Sequence, residues 1–148
     1  MATSLFSLQD RVALITGSTR GIGKSIAEEL GRAGARVAVS SRKAEACEAA
    51  RKDLEAEGVE VLARPCNVSR KDELQALVDA TRAKWGSVDI VVANAASNPY
   101  YGPLTGISDD AFDKIMANNV KSVLWLAAMT LPQMKWPLCA PRHCRLKK

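Results

Sequence analysis

The sequence predicts an α/β fold built on a doubly wound parallel sheet, and three observations carry that prediction. Short apolar runs recur along the chain, amphipathic stretches of about 10 to 15 residues separate them, and glycines stand at the junctions. Strands spaced by helices of that length form right-handed βαβ units, because a parallel neighbour can be reached only by a crossover. The strands are apolar without alternation, the pattern of a sheet covered on both faces. At 148 residues and 47% hydrophobic content the chain supports one core and is too short for two.

"RVALITG" is a β-branched run ending at a glycine and reads as the first buried strand. Ile22, Ile26, Leu30 and Ala33 then recur at helical spacing, and Gly34 stands where a left-handed residue would close that helix. "ARVAVSS" supplies the second strand. Ser41 is a candidate cap for a second helix with Cys47, Ala50 and Leu54 facing inward and Gly58 as its stop. "VEVLARPCNV" reads as the third strand.

Ser69 and Asp72 stand three apart, a Ser-x-x-Asp variant of the capping box. They open a third helix with Leu74, Leu77, Val78, Thr81 and Trp85 on one side, ended by Gly86. "VDIVVANAA" is the fourth strand, and a loop with Pro99, Gly102 and Pro103 follows. Ser108 then begins a long helical pattern through Phe112, Ile115, Val120, Val123, Leu124, Ala127 and Leu131, and Pro132 limits its length.

The formal charge of +5 is confined to the end of the chain. Residues 1–132 hold 16 Lys+Arg against 16 Asp+Glu, and the excess comes from Lys135, Arg142, Arg145, Lys147 and Lys148. A neutral body and a basic tail without amphipathic period argue against both a nucleic-acid partner and a membrane partner. Four sparsely spaced cysteines and an N-terminus without signal-peptide features point to a reduced, cytoplasmic protein. Cys139, His143 and Cys144 are zinc-ligand types, but three ligands at this spacing make no closed site, so no metal is expected.

Ligands of doubly wound sheets sit at the carboxyl ends of the strands. The end of the first strand is "TGSTRGIG", residues 16–23. Glycines suit this place because the backbone must turn tightly and approach a pyrophosphate, which rests on the open N–H groups of the next helix. Gly17, Gly21 and Gly23 meet that need, with Ser18, Thr19, Arg20 and Ile22 between them. A strand-to-helix turn without ligand, or the glycine turn of a methyltransferase, would use the same glycines.

Gly-x-x-x-Gly-x-Gly is wider than the usual dinucleotide fingerprint, and with Thr16 before it the segment resembles the cofactor motif of the short-chain dehydrogenases/reductases. "CNVS", "ANAA" and "NNVKS" follow in the family's order, so the resemblance covers about residues 8–134. "SSRK" and "NPYYG" are most similar to its carbonyl-reductase-like branch. The resemblance implies a Rossmann part over residues 1–132, with cofactor contacts at the glycine turn and at Ser41, Arg42, Asn67, Val68, Asn94, Ala95 and Ala96.

The end of the second strand selects the cofactor. NAD users place an acid there, whereas a 2′-phosphate is matched by positive charge and hydroxyls. The sequence offers Ser40, Ser41 and Arg42, with Arg20 in the glycine turn, and this favours NADP(H); two merely solvated arginines are the bland alternative. By resemblance Asn67 and Val68 border the adenine, with Asn67 standing where the family more often has Asp. Ala96 adds a methyl where the family has Gly. Asn119 matches the helix asparagine that holds a water for the proton relay, the alternative being a bond to the backbone of a neighbouring strand.

The family reduces carbonyls, or oxidises secondary alcohols, by hydride transfer. It uses a serine on a fifth strand and a Tyr-x-x-x-Lys pair in which the lysine lowers the tyrosine pKa. Here the tyrosines are Tyr100 and Tyr101, followed at the fourth position by Leu104 and Thr105. After "LPQM" stands "KWPLCAPRHCRLKK", whose prolines do not suit a central strand. The expectation is a family member cut before its catalytic segment, with residues 133–148 a disordered tail of other origin. A non-catalytic nucleotide-binding module that pairs with a full-length relative is the alternative. The open apolar edge "IVVAN" would then invite pairing with another chain, a homo-oligomer included.

Overall fold

A computed structural model describes residues 6–134 of the chain. Residues 135–148 lie outside the described part, and with them nearly all of the expected tail and its Cys139, His143 and Cys144. Four parallel strands, β1 (Val12–Thr16), β2 (Arg36–Ser40), β3 (Val61–Ala63) and β4 (Ile90–Ala93), lie in the order β3-β2-β1-β4. All five residues of β1 are buried, as its central place and β-branched composition require.

Helices cover both faces of the sheet. α1 (Gly21–Arg32) and α2 (Ala44–Ala56) pack on the face carrying Ala13, Ile15, Val37 and Val39, and supply Ala27 and Leu54 to that core. α3 (Lys71–Trp85) and α5 (Ser122–Thr130) pack on the face of Leu14 and Ala38, through Leu74, Leu77, Val78 and Leu126. The doubly wound reading therefore holds. In the register Thr16 stands opposite Ser40 on one side and Ala93 on the other, so three strands end level at one edge.

Local chemistry departs from the expectations at several places. Ser41 does not cap α2: the N-cap is Lys43, without a side-chain bond, while the Ser41 hydroxyl reaches the Lys43 carbonyl and the Cys47 thiol. Nor do Ser69 and Asp72 form a capping box, since α3 starts after Arg70 and the Ser69 hydroxyl donates to Asn67 Oδ1 at 2.9 Å. The third strand is shorter than its apolar run, because pairing with β2 ends at Ala63, just before Arg64 and Pro65. Ile22 lies in the first turn of α1 with 76% of its surface exposed, not on the inward face.

The long helical pattern forms three pieces. α4 (Asp109–Met116), capped by Ser108 as expected, passes through a π-helical segment (Ala117–Lys121) into α5. The extra residue of the π turn rotates the face that follows, so Leu126 and Thr130 are buried while Leu124 is 67% exposed. Phe112, Val120, Val123 and Leu131, members of the same helical pattern, are exposed as well.

Candidate functional site

The carboxyl ends of β1, β2 and β4 open into a groove of about 240 Å³. Its floor is stitched from side chains that the sequence places at the strand ends. Asn94 Nδ2 donates to the carbonyls of Thr16 and Gly17 at 3.1 and 3.0 Å, and Thr16 Oγ1 accepts from the Ala95 N–H at 3.1 Å. Gly17 has φ +68°, and a Cβ there would come within 3.0 Å of both Ala95 Cα and Asn94 Nδ2. A Cβ on Gly23 would strike the Gly17 carbonyl oxygen and Asn94 Nδ2. Two of the three glycines are thus required by close backbone approach; Gly21, at φ +55°, needs its glycine for conformation alone.

Most of the predicted residues meet in this groove. Gly17, Thr19 and Arg20 line it from the first turn, Ser41 and Arg42 from the second, Asn67 and Val68 from the third, and Asn94, Ala95 and Ala96 from the end of β4. Ser18 does not line it. Fully buried, its hydroxyl donates to Ile15 O and accepts from Ser40 N–H, and its own N–H donates to Ser40 O, so it ties the first turn to β2. Gly21, Ile22 and Gly23 form the first turn of α1 and do not line the groove wall. Asn119 turns to the backbone of Ser97, its Oδ1 accepting from the N–H and its Nδ2 donating to the carbonyl, both at 2.9 Å.

The electrostatics are one-sided. Arg11, Arg32, Arg36, Arg51 and Arg70 pair with acids; Arg20, Arg42, Arg64 and Arg82 have no ion pair among the described residues, and of these Arg20 and Arg42 line the groove. No acidic side chain lines the groove. The first turn of α1 carries neither an acid nor a side-chain cap, which leaves its N–H groups to an anion.

Three lining residues were missed in the sequence: Cys66, Ser97 and Asn118. Each adjoins a predicted residue, so chain continuity was the signal that could have found them. Burial, with help from the Glu73 carboxylate, pushes the Cys66 thiol up to about 11. Asn118 Nδ2 donates to the Ser97 hydroxyl, while its Oδ1 is buried without a hydrogen-bond partner.

A parallel sheet with a glycine turn, an uncapped helix N-terminus and a groove at its strand ends defines a Rossmann-type nucleotide-binding fold. The family model for the short chain dehydrogenases matches residues 11–140, and the chain belongs to that family of oxidoreductases, which bind nicotinamide cofactors. It is 40% identical over 127 residues to tropinone reductase-like 3 of Erythroxylum coca, covering 86% of this chain and 49% of that protein. With human dehydrogenase/reductase SDR family member 2, mitochondrial, it shares 41% identity over 128 residues, covering 86% and 46%.

Among solved structures, a metagenomic short-chain oxidoreductase in complex with NADP superposes with a TM-score of 0.80 at 34% identity, over 84% of this chain and 57% of that one. A short-chain type dehydrogenase/reductase from Mycobacterium marinum gives 0.82 at 30% identity, over 87% and 50%. The chain spans about half the length of the curated relatives it matches. Among the described residues, no helix is long and apolar enough to cross a membrane, and no cluster of metal-ligand side chains occurs.

Proposed function

We propose that this chain binds NADP(H), with Arg20 and Arg42 on the 2′-phosphate, as the cofactor-binding part of a short-chain oxidoreductase acting on a ketone or secondary alcohol. The observation that carries the reading is the pair of guanidiniums in one groove, both without an acidic partner, where no carboxylate is present to receive a ribose 2′-hydroxyl. The groove suits the rest of the coenzyme. The Gly17–Gly23 approach leaves room for a pyrophosphate against the open end of α1, and Ser41 adds a hydroxyl beside Arg42. The NADP-bound relative of the same fold supports this choice.

A nicotinamide held in this groove would supply the hydride-exchange chemistry of the complete enzyme. The chain's own residues bind and orient. Asn119 holds the backbone of Ser97, the residue after Ala96, and so fixes the groove wall from the π-helical segment. Tyr100 donates its hydroxyl to the Pro103 carbonyl at 2.7 Å, and neither tyrosine is followed by a lysine four residues on. This chain alone therefore binds the coenzyme without turning over a ketone.

Fluorescence titration with NADPH and NADH tests the reading. The wild-type chain should prefer NADPH, and Arg42→Ala should abolish that preference while leaving NADH affinity within about twofold. Equal affinity for the two coenzymes in the wild-type chain would overturn the phosphate assignment. Consumption of NADPH with a panel of ketones would overturn the non-catalytic part.

A further inference from the structure

One of the groove-lining residues carries a polar atom whose need is unmet. Asn118 Oδ1 is buried and accepts no hydrogen bond. Its Nδ2 is fixed on the Ser97 hydroxyl, so the oxygen cannot be satisfied by rotating away without breaking that bond. A buried acceptor left unpaired costs about 1–3 kcal/mol, which a ligand donor can recover.

Asn67 shows what that donor is. The residue borders the same groove, yet its Oδ1 already accepts from the Ser69 N–H at 3.2 Å and the Ser69 hydroxyl at 2.9 Å. Asn67 can thus offer only its Nδ2 donor to a base. Asn67, Asn118 and Arg42 also line a second cleft that adjoins the groove, bounded by Ser69 and by Asp113 and Lys114 of α4. Donor from one asparagine and acceptor from the other match adenine, which presents ring-nitrogen acceptors beside a 6-amino donor. The Asp113 carboxylate is a further acceptor in the cleft, but it is exposed to solvent, unlike the buried Asn118 oxygen.

We propose that Asn118 is a specificity-determining residue for the base of the coenzyme, its Oδ1 accepting from the adenine 6-amino group in place of the engaged Asn67 oxygen. This inference rests on the NADP(H) reading above and adds a residue to it. Recognition of the 6-amino group then depends on the helix that follows β4 and not on the turn that follows β3.

Calorimetric titration of the full chain with NADPH and with reduced nicotinamide hypoxanthine dinucleotide phosphate, whose base carries a 6-oxo group, tests the assignment. The wild-type chain should bind the adenine form about five- to tenfold more tightly, and Asn118→Leu should bind both forms alike. Asn118→Ala removes the same oxygen without adding bulk, and repeats the comparison if the leucine variant does not fold. A wild-type preference that survives both substitutions would overturn the inference and leave the NADP(H) reading standing. A wild-type preference for the hypoxanthine form would overturn it too, by showing that the amide presents its donor. Failure of the wild-type chain to bind either form, or to distinguish NADPH from NADH, would remove the parent reading itself.

Discussion

Asn94, just beyond the end of β4, donates its amide nitrogen to the carbonyls of Thr16 and Gly17 at 3.1 and 3.0 Å, so one side chain holds the first turn against the fourth strand. Both carbonyls stand where β1 gives way to the glycine turn, Thr16 being the last residue of β1 in register with Ser40 and Ala93.

Asn94→Ala should therefore cost more than an ordinary surface substitution. Two part-buried carbonyl oxygens lose their donor, which destabilises the fold by about 1–3 kcal/mol and loosens Gly17. Urea unfolding should show the loss, and coenzyme titration should show a parallel fall in affinity. A variant with wild-type stability would mean that water replaces the amide.

The glycines separate into two kinds. Gly23→Ala places a methyl against the Gly17 carbonyl and Asn94 Nδ2, neither of which can yield without opening the turn, so coenzyme binding should be lost. Gly21→Ala meets no atom within 4 Å and costs only the left-handed backbone, about 1–2 kcal/mol. Retained binding with a lowered melting point is the expected result for Gly21→Ala, measured by thermal scans with and without NADPH.

Cys66 links the site to pH. Burial raises its thiol from the ordinary value of 9.0 to about 11, so the folded protein keeps it neutral while the unfolded chain ionises it from about pH 9. A folded value above the unfolded one gives a contribution that is complete below pH 9 and is lost as pH rises toward 11. The urea midpoint should fall over that window, and less steeply in Cys66→Ala. Alkylation of Cys66 at pH 8 should be slow and slower still with NADPH, because the residue lines the groove.

β4 is an edge of the described sheet, and Phe112, Val120 and Leu124 lie exposed on the helical run beyond it. We propose that copies of the chain associate through these surfaces. Gel filtration should give a species larger than a monomer, shifted toward monomer by Leu124→Lys. A sharp monomer peak for the wild-type chain would contradict the proposal.

The sequence of strands and helices along the chain, the covered faces of the sheet and the place of the groove followed from patterns local to the chain: apolar runs, helical periods and glycines at fixed offsets. Local patterns misled where two segments compete for one group. Ser41 and Ser69 read as helix caps, yet their hydroxyls bond Lys43 and Cys47, and Asn67, instead.

The sequence by itself determined a parallel α/β sheet with a glycine turn, and arginines but no acid after its second strand. Only the tertiary structure decided that Arg20 and Arg42 share one groove unpaired, that Asn67 has no free oxygen, and that a π turn carries Asn118 to the wall and Asn119 onto Ser97. The physical reason is that residue type fixes what a side chain can bond, while which partner it bonds depends on contacts between segments distant in the chain, such as residues 97 and 119.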